Sequence, residues 1–191
     1  MKKPAGRWAF LLTALFLDVS LAQEQCGACH GRDGNSLTPG VPSIAAQPRV
    51  FIENQLVVIR EGLRPSPQMF PFVKDLKDPQ IVALARHFSG LPAKATQSSP
   101  ESPALLKRGA ELAGKLRCGG CHLPDYRGQN QIPRLAAQRE DWLEPVMREF
   151  RDKPRPGGDT IMADALRGLS DADLRALAHF LSRSKPPAPA R

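Results

Sequence analysis

Residues 26–30 read CGACH and residues 118–122 read CGGCH. Each places two cysteines two residues apart with a histidine directly behind: Cys26, Cys29 and His30, then Cys118, Cys121 and His122. A disulfide within either pair would close a tiny loop that constrains little of the chain. Thioredoxin-type exchange needs a βαβ setting, and no clear alternating strand pattern accompanies either pair. A four-cysteine zinc site would have to join pairs about 90 residues apart. None of these chemistries uses the histidines. The chain has four histidines in 191 residues, and one stands behind each pair.

CxxCH is the attachment signature of c-type haem, and the chemistry explains the spacing. Two thiols add to the porphyrin vinyl groups as thioethers. Two intervening residues let one backbone turn present both sulfurs along one ring edge, and the next residue turns beneath the ring, where imidazole reaches iron. The motifs predict two covalently attached haem c groups, with His30 and His122 as iron ligands. A sixth ligand is needed, or an open site. Met69 and Met162 are the leading candidates, 39 and 40 residues after their histidines. Each follows turn residues (Pro65 and Pro67; Pro156, Gly157 and Gly158) and is expected in a loop shortly before a capped helix. Methionine is more often core filler, which is the reading for Met147, aligned with Leu56 in mid-helix. His87 and His179 are the rival ligands. They do not correspond between the two halves, and both fall near helix ends, where histidine is commonly a surface or capping residue. Pro42 and Pro133 follow the ligand histidines by 12 and 11 residues. A carbonyl there could accept the histidine Nδ1–H and tune the iron; the alternative is a plain turn proline.

The elements that position these residues are duplicated. VPSIAAQ (41–47) matches IPRLAAQ (132–138), and each methionine stands seven residues before a leucine, Leu76 or Leu169. Such self-similarity marks a tandem repeat. Helical apolar spacing predicts helices over Arg49–Glu61, Ala104–Arg117 and Arg139–Arg151. Ser170 with Asp173 reads as a capping box. Asp78 is expected to cap the matching helix of the first half, with Pro79 at its first position. The fold class is all-α: two tandem helical bundles, each around one haem. The expected domains are 23–91 and 104–185, with a Pro/Ser-rich linker over 92–103 and a disordered tail over 186–191.

The first 22 residues read as an export signal. Lys2, Lys3 and Arg7 precede a ten-residue apolar run, Trp8 to Leu17, and Ser20-Leu21-Ala22 offers small residues for cleavage. Ten residues at about 1.5 Å each cover roughly half of a ~30 Å bilayer core. Cleavage would leave Gln23, Glu24 and Gln25 ahead of the first haem, a truncated N-terminus beside the roughly 14 residues of helix before Cys118. Removing the segment takes the net charge from +8 to +6. No dense Lys/Arg tract accompanies that charge, so nucleic acid is not indicated. A solvated basic surface is the default reading, and an acidic redox partner the secondary one.

Taken together, CGACHGRDGNS, CGGCH, PSIAAQ, PRLAAQ, the two Met-to-Leu segments and LSDADLRALAHFL resemble the dihaem cytochrome c4 family, two class I cytochrome c domains in tandem. The resemblance spans about residues 23–185. It implies His/Met ligation in both domains, a pseudo-twofold arrangement, and a periplasmic electron carrier rather than an enzyme, with redox protein partners such as a terminal oxidase. Membrane association would be peripheral, through a membrane-bound partner. CHLPDYRGQ departs from the more usual CHGRDGNS, so the loop around the second haem is expected to differ. Three rivals remain: a dihaem subunit of a larger oxidoreductase such as a flavoprotein dehydrogenase complex, a dihaem peroxidase, and a zinc- or disulfide-stapled binding module.

Overall fold

The computed structural model describes residues 23–96, 99–153 and 160–186. The expected export signal, the Pro156-Gly157-Gly158 turn and the tail from 187 onward lie outside the described residues. The elements are α1 (23–30), α2 (Arg49–Arg60), α3 (Phe70–Val73), α4 (Asp78–Ser89), α5 (Pro103–Lys115), α6 (Cys118–His122), α7 (Glu140–Asp152), α8 (Thr160–Leu166) and α9 (Asp171–Arg183). No strand occurs among the described residues beyond one isolated bridge, Gln129 to Ile132. The all-α class is as the sequence predicts.

One apolar stripe, used twice, builds the two cores. α4 buries Ile81, Leu84, Ala85 and Phe88; α9 buries Leu174, Leu177, Ala178 and Leu181. Each set follows the i, i+3, i+4, i+7 spacing that a 3.6-residue helix turns to one side. The first stripe packs with Ile52 of α2. The second packs with Leu143 and Met147 of α7, Leu112 and Ala113 of α5, and Leu166 of α8. Met147 is buried, as its mid-helix position predicts. α5 lies against α9 so closely at Gly109 that an added Cβ would sit 2.2 Å from the Ala176 carbonyl oxygen.

Helix starts follow the sequence with one correction. Ser170 Oγ accepts from the Asp173 amide, and the Asp173 carboxylate accepts from the Ser170 amide, completing the expected capping box. In the first half Lys77 occupies the cap position and Asp78 the first turn, with Pro79 one place later than expected. Gln80 Oε1 accepts the Lys77 amide at 2.8 Å and the Gln80 amide donates to the Lys77 carbonyl at 2.9 Å, so both donors are met without an oxygen on the cap side chain.

The segment joining the halves is tied down. Asn35 Nδ2 donates to the Pro92 carbonyl, the Lys94 amide donates to Asn35 Oδ1, and Ser43 and Thr96 hydroxyls meet. Beyond it, Ser99 Oγ and Arg183 Nη1 both donate to Glu140 Oε2, at 2.6 and 2.8 Å. His179 completes this cluster and departs from the surface role expected of it. It is 1% exposed, its Nδ1 lies 3.2 Å from the Glu140 carboxylate, and its Nε2 accepts the Ser102 amide. Both ring nitrogens are thus engaged within the protein, away from any ligand role. The physical reason is tertiary: α9 is covered on the side away from its stripe as well, where Ala176, His179 and Ser182 are all buried and Ser102 and Glu140 reach the ring.

Burial would raise the Glu140 carboxyl, but hydrogen bonds from Ser99, Arg183 and His179 together outweigh it and hold the group below the usual carboxylate range. A folded-state depression stabilises the native state above the unfolded value of about 4.3, and that contribution is lost as pH falls through the lower folded value. Glu140→Gln should therefore have a lower urea midpoint than the native chain at pH 7. The gap should close as pH is lowered below about 4. A gap that does not change with pH would show that the carboxylate charge contributes nothing.

Candidate functional site

In both halves the cysteine pair and its histidine lie on one helical turn, on α1 and on α6. No disulfide joins any of the four cysteines. Among the described residues no group of three or more His, Cys, Asp or Glu is arranged to hold a metal ion. Cys26 and Cys118 are half-buried against their core clusters, while Cys29 and Cys121 are exposed. Burial pushes both the Cys26 and Cys118 thiols up.

His30 and His122 are both buried, at 7% exposure. The Nδ1 of His30 lies 2.8 Å from the Pro42 carbonyl oxygen, and that of His122 lies 2.8 Å from the Pro133 carbonyl oxygen. A carbonyl can only accept, so each Nδ1 carries the proton and each Nε2 the lone pair. Burial pulls His30 down, partly offset by its bond to Pro42, and so favours the neutral imidazole that can bind a metal. The donor set fits haem in each half: two thiols on one turn, and one oriented imidazole that needs a macrocycle to complete its coordination.

The loop after each motif starts on one backbone path despite its different sequence. Gly31 and Gly34 take φ of 84° and 72°, and at the matching places Leu123 and Tyr126 take 69° and 55°. The Gly34 carbonyl accepts the amides of Ile44 and Ala45; the Tyr126 carbonyl accepts those of Leu135 and Ala136. Beyond that start lies the difference expected from CHLPDYRGQ: the second loop has left-handed φ at Gly128 and Asn130, 75° and 50°, and a bridge from Gln129 to Ile132, where the first has only Gly40 at 69°. Leu123, at φ 69° and ψ 156°, stands in a region essentially reserved for glycine, and positive φ at Leu123 and Tyr126 costs about 1–3 kcal/mol each. Tyr126 is steadied by an edge-on contact with Phe180, ring centres 5.8 Å apart.

The methionines are placed less symmetrically than expected. Met69 is the half-buried cap residue of α3, and Met162 lies within α8, half-buried against the second core cluster, rather than in a loop. The Thr160–Leu166 helix supplies packing surface that the shorter α3 does not. Both segments are closed by one device that the sequence reading missed. Arg60 Nη1 donates to the Leu76 carbonyl at 2.9 Å and pairs with Asp78. Arg151 Nη1 donates to the Leu169 carbonyl at 2.8 Å and pairs with Asp171. His87, the other rival ligand, lies in the last turn of α4, edge-on to Phe88.

The AAQ triplets, one mark of the duplication, lie where the halves meet. Ala46 and Ala137 both take left-handed φ, 51° and 55°. Each turn directs its glutamine into the opposite half. Gln138 Oε1 accepts the Ser43 amide at 2.8 Å and its Nε2 donates to the Ser43 carbonyl at 2.9 Å. Gln47 does the same with Arg134, at 2.8 and 3.1 Å. The Arg134 side chain is 1% exposed and donates to the carbonyls of Ser43, Ala45 and Ala136. Burial pulls it down to about 10, so it stays charged at neutral pH. The signal available in the sequence was the identity of both glutamines, together with Arg134 standing where the first repeat has Ser43.

Comparison with known proteins gives this arrangement its relatives. A family described as cytochrome c matches residues 106–185, and one described as cytochrome c oxidase, cbb3-type, subunit III matches residues 19–87. Cytochrome c4 of Thiocapsa roseopersicina is 33% identical over 170 residues, covering 84% of this chain and 87% of the relative. The chain belongs to the cytochrome c4 family. It has two cytochrome c domains and two covalently bound haem c groups, on the Cys26/Cys29 and Cys118/Cys121 pairs. The crystal structure of reduced recombinant cytochrome c4 from Pseudomonas stutzeri superposes with a TM-score of 0.77 at 29% identity, covering 87% of this chain and 98% of that one. A thiosulfate dehydrogenase (TsdBA) structure from Marichromatium purpuratum gives a TM-score of 0.68 at 25% identity, covering 85% of this chain and 36% of that one.

Proposed function

We propose that this chain is a periplasmic electron carrier in which His30 with Met69, and His122 with Met162, hold the two irons. Its domains span 23–91 and 104–185, joined by 92–103. The observation that carries this reading is the twice-built histidine site: a buried imidazole behind each cysteine pair, its Nδ1–H donated to the carbonyl of Pro42 or Pro133 at 2.8 Å. That bond fixes the ring and raises the basicity of Nε2. The bound haem supplies a one-electron couple. Methionine sulfur as the further ligand would favour the reduced metal and leave no position for oxygen or substrate, which suits transfer rather than catalysis. Export is supported by the basic and then apolar start of the chain. No described helix is long and apolar enough to cross a membrane. The +6 charge that remains after residue 22 suits an acidic face on a donor or on a terminal oxidase.

Met69→His and Met162→His test the ligation. Axial ligands move haem potentials over about 0.8 V, so each variant should lower one midpoint by tenths of a volt and leave the other nearly unchanged. Each should also remove about half of the weak red absorption band that His/Met ferric haem shows, because one of two such haems has then lost its methionine. If the native oxidised protein lacks that band or binds cyanide quickly, methionine is not the ligand. A second reading, a dihaem subunit of a larger oxidoreductase, is favoured by the likeness to the thiosulfate dehydrogenase chain, 36% of which this chain covers. Isolation of the native protein as a stable complex with a catalytic subunit would select it.

A further inference from the structure

The two histidine sites are joined to the domain interface by single peptide groups. The Pro42 carbonyl that takes the His30 Nδ1–H belongs to the same peptide unit as the Ser43 N–H, which donates to Gln138 Oε1 at 2.8 Å. The Pro133 carbonyl that takes the His122 Nδ1–H shares its peptide unit with the Arg134 N–H, which donates to Gln47 Oε1 at 2.8 Å. We propose that Gln138 and Gln47 are positioning residues that tune the haem of the opposite domain, each through one peptide unit and the histidine bonded to it. The proposal rests on His30 and His122 being the iron ligands.

The physical link is peptide resonance. The C–N bond has partial double-bond character, so drawing the N–H towards an acceptor shifts electron density onto the carbonyl oxygen of the same unit. Hydrogen bonds in such a chain strengthen one another, more so away from water. Ser43, Gln47, Arg134 and Gln138 are each at most 3% exposed. A stronger carbonyl acceptor pulls harder on the imidazole proton, and the imidazole becomes a better donor to iron. Better donation favours the ferric state and lowers the midpoint. Each glutamine therefore holds down the midpoint of the haem in the other domain.

The two arms differ in one respect. Arg134 also donates from its buried side chain to the Ser43 and Ala45 carbonyls, whereas Ser43 has no equivalent reach. The peptide unit serving His30 therefore ends at a residue whose carbonyl takes bonds from both Gln138 and Arg134.

The test is a redox titration of the intact dihaem protein with Gln138→Leu, Gln47→Leu and the acceptor-retaining Gln138→Glu, each haem followed by its own NMR resonances. Gln138→Leu should raise the midpoint of the haem on Cys26 and Cys29 and leave the other nearly in place; Gln47→Leu should do the reverse. Gln138→Glu should not raise the first midpoint, because the Ser43 N–H keeps its acceptor. Equal shifts of both haems, a larger shift in the glutamine's own domain, or a rise in Gln138→Glu as large as in Gln138→Leu would overturn the relay. Native spectra separate the two failures. Loss of the histidine Nδ1–H resonances from the ligand set of the native protein defeats the ligation itself, whereas intact ligation without the crosswise pattern defeats the relay alone. Should a leucine variant not accumulate, the glutamate variant and the remaining arm still decide it.

Discussion

In a Cys118→Ser/Cys121→Ser chain the covalent haem content should fall from two groups to one, with the chain mass lower by one haem. A Cys26→Ser/Cys29→Ser chain should show the same halving from the other end. Serine hydroxyls do not add to the vinyl groups, so neither thioether forms and the haem is held only by its iron ligands. A group that binds only the folded state stabilises it in proportion to the logarithm of its concentration over Kd. A tether makes that concentration effectively permanent; without it, dilution releases the haem. The consequence should be heavier in the second half. There Cys118, Tyr126, Leu135, Phe150 and Met162 all pack half-buried around the core of α5, α7 and α9, so loss of the group loosens a larger assembly. Intact mass and a haem stain on a denaturing gel read the stoichiometry, and thermal unfolding reads the second effect. Retention of both haems in either double variant would defeat the assignment of that cysteine pair.

Gly109→Ala should be among the most destabilising single-methyl changes in the chain. Helix propensity alone predicts the opposite sign, a gain of about 1 kcal/mol for alanine over glycine. The contact decides it. The new Cβ would meet the Ala176 carbonyl oxygen at 2.2 Å and Phe180 Cβ at 2.5 Å, and a backbone carbonyl in mid-helix cannot swing aside. α5 and α9 must therefore separate. Overpacking of this kind costs about 1–3 kcal/mol or more, and a domain of this size loses roughly 4–8 °C in Tm per kcal/mol. Gly114 on the same helix is the control: an added Cβ there meets nothing within 4 Å. Gly114→Ala should hold or raise Tm by the propensity gain. If both variants shift Tm in the same direction, the close approach of α5 to α9 at Gly109 is not what requires glycine there.

Much of the site is local, and local features were legible. The two CxxCH motifs, the repeat, the helical periods and the two prolines 12 and 11 residues after the histidines all rest on spacing within one half of the chain. The Ser170–Asp173 cap was equally readable because its partners are three residues apart. The cap at Lys77 was less so, because its side chain carries no acceptor and the Gln80 amide bonds the Lys77 backbone carbonyl instead.

What escaped the sequence is what arises between distant segments. Gln138 to Ser43 spans 95 residues and Gln47 to Arg134 spans 87, distances at which no periodic pattern survives. His179 looked like a surface residue because its position near a helix end says nothing of Glu140 and Ser102, which reach it from other elements. The shared start of the two loops escaped the sequence too, because the side chains differ there, whereas the backbone hydrogen bonds to the Tyr126 carbonyl match those to Gly34. The sequence by itself determined the chemistry, two covalent haem sites in two helical repeats, because thiol and imidazole spacing is a property of a single turn. Only the tertiary structure decided how the repeats face one another, because that depends on polar groups that find partners only when the two halves meet and exclude water.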